Sequence, residues 1–190
     1  MPYDVAVLVG SLRAGSYTRM IANELIRFAP DTLAPRIVEI RDLPLYDADL
    51  EDAVPDAWRT FRDTVRPADA VLFTTPEYNR SVPGPLKNAI DVGSRPYGRS
   101  VWSGKPAAVV SVSPGAIGAY GANHHLRQSL VFLDMVALQQ PEAYIGNVAS
   151  LLTDGRVTNG ETEQFLRGLM TRFAELIALL RPEVSRPPAR

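Results

Sequence analysis

Three aliphatic hydroxyls and one guanidinium are crowded into the segment Gly10-Ser11-Leu12-Arg13-Ala14-Gly15-Ser16-Tyr17-Thr18. The hydroxyls belong to Ser11, Ser16 and Thr18, and the cation is Arg13. A short apolar run precedes the segment and an amphipathic stretch follows it, which predicts a turn entering a helix. Such a turn can cradle a phosphate, because the helix N-terminus is partly positive and its first amides are unpaired. Arg13 would add a charge-assisted contact. An ordinary Ser-capped helix after a glycine turn would use the same residues, and the segment alone leaves both readings open. Two familiar phosphate loops fit poorly. The spacing from Gly10 to Gly15 imitates a Walker A loop, but Ser16-Tyr17 stands where Lys-Ser/Thr belongs. The only lysines, Lys87 and Lys105, are far along the chain, and no GxGxxG pattern is present.

A second segment is denser: Thr75-Pro76-Glu77-Tyr78-Asn79-Arg80-Ser81-Val82-Pro83-Gly84-Pro85-Leu86-Lys87-Asn88. Prolines at 76, 83 and 85 stiffen it, and Gly84 permits a tight bend. A rigid loop with a tyrosine, an asparagine and exposed amides suits a flat heteroaromatic ring. Its backbone could read the ring's polar edge while one face stays open. A proline-rich structural turn is the plainer alternative.

Composition removes much other chemistry. Without any cysteine there is no thiol nucleophile, CxxC redox pair, thiolate zinc site or Cys-ligated iron–sulfur cluster. His124 and His125 are the only histidines, and as neighbours on a helix they point in different directions, a poor metal pair. Asp49, Glu51 and Asp52 read as a solvated acidic run, and Glu77 as loop architecture rather than a general base. Twenty basic against 21 acidic residues leave no basic footprint for nucleic acid. No apolar run is long enough to span a membrane, and the N-terminus lacks a leader pattern, so a cytoplasmic protein is expected.

The elements around these segments alternate. Val5–Val9 is a buried-strand signal ended by Gly10. Residues 16–29 read as a helix with Ile21, Ala22, Leu25 and Phe28 on one stripe. Strands follow at 36–40, 68–75, 107–112 and, more weakly, 142–145. Helices are expected at 56–65, from Pro85 to Asp91, and at 120–136. The clearest helix carries Phe165, Leu166, Leu169, Met170, Phe173, Leu176, Ile177 and Leu180. Asp154-Gly155 marks a turn, and residues 181–190 read as a flexible tail after a single domain over 1–180. The stretch Leu130 to Leu138 could serve a core or an interface. This βαβαβαβαβα order predicts an α/β fold: a flavodoxin-like, three-layer α/β/α with a five-stranded parallel sheet, order 2-1-3-4-5. There a ligand sits beyond the carboxyl ends of strands 1 and 3, where both dense segments lie.

Gly10-Ser11-Leu12-Arg13 with Ser16, and Pro76-Glu77-Tyr78-Asn79-Arg80-Ser81-Val82-Pro83-Gly84 with Leu86-Lys87-Asn88-Ala89-Ile90-Asp91, resemble the NADPH-dependent FMN reductase family. That family includes flavodoxin-like quinone, chromate and ferric reductases. Leu43-Pro44-Leu45-Tyr46, Ser94-Arg95-Pro96, Gly104-Lys105-Pro106, Ser113-Pro114-Gly115-Ala116-Ile117-Gly118, Leu126-Arg127-Gln128 and Pro141-Glu142 extend the resemblance over nearly the whole chain. It implies one non-covalent FMN, with NADPH or NADH as hydride donor. Its phosphate-binding positions match Ser11, Arg13, Ser16 and, where many members have Asn, Thr18. Its ring-binding positions match Pro76, Glu77, Tyr78 and Asn79, with Ser81 nearby, and Ser113, Pro114 and Gly115 from the other side. Two departures stand out: Val92 where Trp is frequent, and Gly118-Ala119 where Gly-Gly is common.

The resemblance implies hydride transfer to flavin N5 and delivery of electrons to a small-molecule acceptor over the same ring face, in ping-pong order. No side chain is assigned as acid or base. Arg95 is the expected guide for the nicotinamide nucleotide or an anionic acceptor, beside Tyr78; a subunit-interface ion pair is its alternative. A homodimer or homotetramer is implied. Two other functions share the topology. A flavodoxin-type electron carrier would be strongly acidic, whereas the net charge is −1. A receiver-like signalling domain needs acids at the ends of strands 1 and 3, where Gly10-Ser11 and Thr75-Pro76 stand.

Overall fold

The structure, a computed structural model, describes residues 1–181. Strand β1 (Tyr3–Val9) forms its centre. From Val5 to Val9 every side chain is buried, although the residues alternate between faces. Val5, Val7 and Val9 pack against Ile21, Leu25 and Phe173, while Ala6 and Leu8 pack against Trp58, Phe61 and Phe73. A strand covered on both sides must be apolar throughout, which explains the uninterrupted run.

Helix α1 (Tyr17–Arg27) follows β1, then β2 (Leu33–Val38), α2 (Asp56–Val65), β3 (Ala70–Thr75), α3 (Gly84–Gly93) and β4 (Pro106–Val112). All pairings among these strands are parallel, with Val7 opposite both Ile37 and Leu72, and Phe73 opposite Val109. With β5 at Val136–Ala137, the sheet order is β2-β1-β3-β4-β5, as expected. β1 and β3 are neighbours whose following helices lie on opposite faces, so their loops diverge and leave a crevice at their carboxyl ends.

The last strand differs from its expected single segment. It comes in two pieces, β5 (Val136–Ala137) and β6 (Ala143–Ile145), which pair with the start and end of β4 respectively. Pro141 stands between them and has no N–H to offer a ladder. Helix α4 (Tyr120–Phe132) also stops four residues short of expectation, where Asp134 turns left-handed at φ 59°. β2 begins three residues earlier than expected and still buries Val38. Of the stretch 130–138, Leu130, Leu133, Met135 and Leu138 are core, while Val131, Phe132 and Val136 are exposed.

Asp154 and Gly155, both at positive φ, form the turn of a hairpin, β7 (Leu152–Thr153) with β8 (Arg156–Val157). Glu24 of α1 ties this hairpin down. Its buried carboxylate accepts from Val157 N at 3.0 Å and Arg156 at 2.9 Å, and pairs with Arg27 at 2.6 Å. Burial alone would raise the Glu24 carboxyl, but these donors outweigh it and hold it down at about 2. Helix α5 (Gly160–Leu180) closes the α1 face with Leu166, Leu169, Met170, Phe173 and Ile177. Arg181, the first residue of the expected tail, is hydrogen-bonded, its carbonyl accepting from the Tyr3 hydroxyl. Residues 182–190 lie outside the described residues.

Candidate functional site at the strand ends

Ser16 sets the start of α1. It has extended backbone, φ −76° and ψ 119°, and its hydroxyl oxygen accepts from Arg19 N at 3.2 Å. The amides of Ala14 through Thr18 meet no acceptor among the described residues. Ser11, Ser16 and Thr18 are buried, while Arg13 is exposed and its guanidinium has no described partner. By contrast, the neighbouring Arg19 is held by Glu39 at 2.7 Å, and Arg41 donates to the Leu12 carbonyl. The segment therefore presents hydroxyls that accept only local backbone N–H groups, Ser16 from Arg19 N and Ser11 from Arg13 N, beside amides and a guanidinium that meet no partner among the described residues.

Gly10 connects this segment to the second. A Cβ there would lie 3.1 Å from Leu86, 3.2 Å from Pro76 and 3.3 Å from the Thr75 hydroxyl. Any larger residue would force these neighbours to give by a few tenths of an ångström, so glycine suits the close approach of β1 to the β3 loop. That loop is tied internally. Tyr78 and Ser81 exchange both backbone hydrogen bonds, at 3.1 and 3.0 Å, around Asn79 and Arg80, which both have positive φ. The Ser81 hydroxyl lies 3.0 Å from His125 Nδ1. Glu77 turns inward, and its Oε2 accepts from Ala122 N at 3.1 Å. Helix α4 has no side-chain cap of its own, because Ala119 occupies its N-cap, so the β3 loop supplies the carboxylate. The outward residues Tyr78 and Asn79 remain exposed, and Pro76 is half-buried.

The loop after β4 forms the third side. Ser113 N donates to Ile145 O at 2.9 Å and its hydroxyl accepts from Gly115 N at 3.1 Å, leaving Pro114 and Gly115 exposed. Gly118, at φ 64°, packs so tightly that a Cβ would be 2.6 Å from the Tyr144 carbonyl carbon. Beside it, His124 Nε2 lies 3.0 Å from the Tyr144 hydroxyl. Burial and nearby Glu142 push that phenol up to about 12.

Eleven of the sequence-derived positions, from Ser11 to Ser81 and Ser113 to Gly115, together with Thr18 just inside α1, lie on the three loops at one end of the sheet. Arg95 does not join them. It follows the C-terminus of α3, whose ten residues rise about 15 Å away from the β3 loop. It is exposed there, near Arg99, whose carbonyl accepts from Arg66. The two family departures also have places. Val92 is fully buried and its carbonyl accepts from Arg62, and Ala119 adopts φ 60°. Two ties escaped sequence reasoning. Asn88 of α3 holds the 43–46 loop by accepting from Tyr46 N and donating to Leu43 O and Pro44 O. The Glu77 bond to Ala122 spans 45 residues and leaves no local signal.

Among the described residues, no group of three His, Asp or Glu could hold a metal ion, and no helix is long and apolar enough to cross a membrane. Two grooves of about 380 and 370 Å³ flank α5, but neither is lined by any residue of the three loops.

Residues 3–150 match the family model described as NADPH-dependent FMN reductase. The chain is 63% identical over 180 residues to a quinone reductase of Pseudomonas putida, covering 94% of this chain and 97% of that one. It is 42% identical to a 2-hydroxy-1,4-benzoquinone reductase of a Burkholderia species, covering 92% and 96%. Among solved structures it is similar to FerB, a flavoenzyme NAD(P)H:(acceptor) oxidoreductase from Paracoccus denitrificans. The TM-score there is 0.87 at 42% identity, covering 93% of this chain and 98% of that one.

Proposed function

Because the chain belongs to the NADPH-dependent FMN reductase family, we propose that it is an FMN-dependent NAD(P)H oxidoreductase that reduces quinones or similar small acceptors. The observation that carries this is the free anion cradle at the head of α1 facing a rigid ring-sized loop across Gly10. The residues present fit FMN: among the described residues the N-terminal amides of α1 and the Arg13 guanidinium meet no partner, and a Cβ on Gly15 would meet nothing within 4 Å. When bound, FMN would supply the redox chemistry between NADH or NADPH and the acceptor.

The chain's own residues bind and orient. Ser11, Ser16, Thr18, Arg13 and the α1 amides hold the phosphate. Pro76, Glu77, Tyr78, Asn79 and Ser81 frame one side of the ring, and Ser113, Pro114 and Gly115 the other. Glu77 serves by fixing the loop to α4, since its carboxylate is already engaged by Ala122 N. Exposed Tyr78 borders the face on which donor and acceptor alternate. Arg95 is too far along α3 to serve its own crevice, so its contact with a nucleotide requires a second copy of the chain. Exposed Phe132, Val131 and Tyr97 favour such a homodimer or homotetramer. Dependence on NAD(P)H favours a cytoplasmic site of action, and the near-neutral charge gives no reason for a nucleic-acid partner.

The test is direct. Purified protein should carry flavin absorption, bleach on anaerobic addition of NADPH or NADH, and recover its colour with a quinone. Protein that binds FMN but oxidises neither nucleotide would be an electron carrier instead. Protein that takes up no FMN would overturn the reading altogether. Light scattering of the holoprotein decides monomer, dimer or tetramer.

A further inference from the structure

The tip of the β3 loop holds a residue in the wrong conformation for its type. Tyr78 to Ser81 forms a two-residue hairpin turn with both central residues left-handed, Asn79 at φ 51° and Arg80 at φ 65°. Such turns favour Asn followed by Gly. Asn79 suits its place. Arg80 does not, because a side chain in this region crowds the following carbonyl.

Nothing local offsets that strain. The Arg80 side chain is 79% exposed, so packing contributes little. Its one described side-chain partner is Glu77 Oε1 at 3.5 Å, long and largely in solvent on the arginine side. The other Glu77 oxygen is engaged by Ala122 N. The backbone of the turn is meanwhile pinned, since the Arg80 carbonyl oxygen lies 2.9 Å from where a Cβ on Gly121 would stand. A fixed turn thus carries a nearly free guanidinium at its tip, beside the crevice. Strained non-glycine residues at such places mark function. A planar guanidinium fork matches a phosphate. The flavin phosphate already has a separate cradle, with Arg13, on the loop after β1.

We propose that Arg80 is a specificity residue that binds a phosphate of the incoming nicotinamide nucleotide. This rests on the chain being an NAD(P)H oxidoreductase. The phosphate chemistry has two sources, the pyrophosphate common to NADH and NADPH and the 2′-phosphate of NADPH alone.

The experiment uses FMN-loaded Arg80→Gly and Arg80→Lys, with wild type alongside. In Arg80→Gly, kcat/KM for the nucleotide should fall ten- to a hundredfold, the loss of a charge-assisted contact. The kcat at saturating nucleotide and the FMN dissociation constant should stay within about twofold, while Tm rises by about 2–4 °C as strain is relieved. Arg80→Lys keeps the charge without the fork and should lose less. A loss confined to NADPH assigns the 2′-phosphate, and an equal loss with NADH assigns the pyrophosphate. Unchanged kcat/KM for both nucleotides, or a weakened FMN with unchanged nucleotide kinetics, overturns the proposal. Wild type that oxidises neither nucleotide overturns the functional reading and this inference together, before any variant is compared.

Discussion

The two ends of helix α1 treat charge in opposite ways. Near its C-terminus, Glu24 is sealed from solvent and every lone-pair direction has a donor: Arg27, Arg156 and the amide of Val157. At its N-terminus the buried Ser11 and Ser16 hydroxyls accept only local backbone N–H groups, and five successive amides and the Arg13 guanidinium meet no partner among the described residues. A folded chain saturates the polar groups that hold it together. Groups left open at one helix end, in a crevice between diverging loops, are therefore the ones available to a ligand. The difference separates a charge that stabilises from a charge that recognises.

The strongest way to break that contrast is Glu24→Ala. It strips a buried carboxylate from two arginines and an amide, and should destabilise the protein by about 3 kcal/mol, read by chemical denaturation. FMN affinity of the folded fraction should not change; a large loss would mean that the two helix ends are not independent. Arg13→Ala is the mirror image. The dissociation constant for FMN should rise about tenfold, while the apoprotein melts at the same temperature, because the exposed Arg13 guanidinium has no partner among the described residues to lose. A drop in apoprotein Tm would show that Arg13 is structural after all.

Acid sharpens the same contrast. Glu24 sits at about 2 in the folded protein against an ordinary value near 4.5. Its contribution is fully present above pH 4.5 and is lost progressively as pH falls toward 2. Denaturant midpoints should decline over that window, and Glu24→Gln should flatten this part of the profile. The smallest expected effect is at Ala119. It is a non-glycine residue held at φ 60°, so Ala119→Gly should stabilise by about 0.5–1 kcal/mol in thermal melts.

The fold was legible because its signals are local and redundant. Val5–Val9 reads as a buried strand, and the stripe from Phe165 to Leu180 as a core helix. The edge strand was legible in part: the signal at 142–145 falls on β6, but Val136–Ala137 is too short to show a period and pairs only because β4 offers it a ladder. In the candidate site, Ser16 as a cap and Gly10 as a turn were readable from type and spacing. The inward set of Glu77 was not, because its partner is 45 residues away. Nor was the strain at Arg80, since nothing in Asn-Arg announces a left-handed pair.

The sequence by itself determined the element order, the absence of any thiol and the two loops that carry hydroxyls, a cation and stiff backbone. These depend on residue type and short-range periodicity, which no packing can alter. Only the tertiary structure decided that the twelve positions expected to bind cofactor converge, that Arg95 is carried to the far end of α3, and which charges are used up internally. Those outcomes depend on contacts between residues distant in the chain, fixed when β1 and β3 pair and their helices depart to opposite faces.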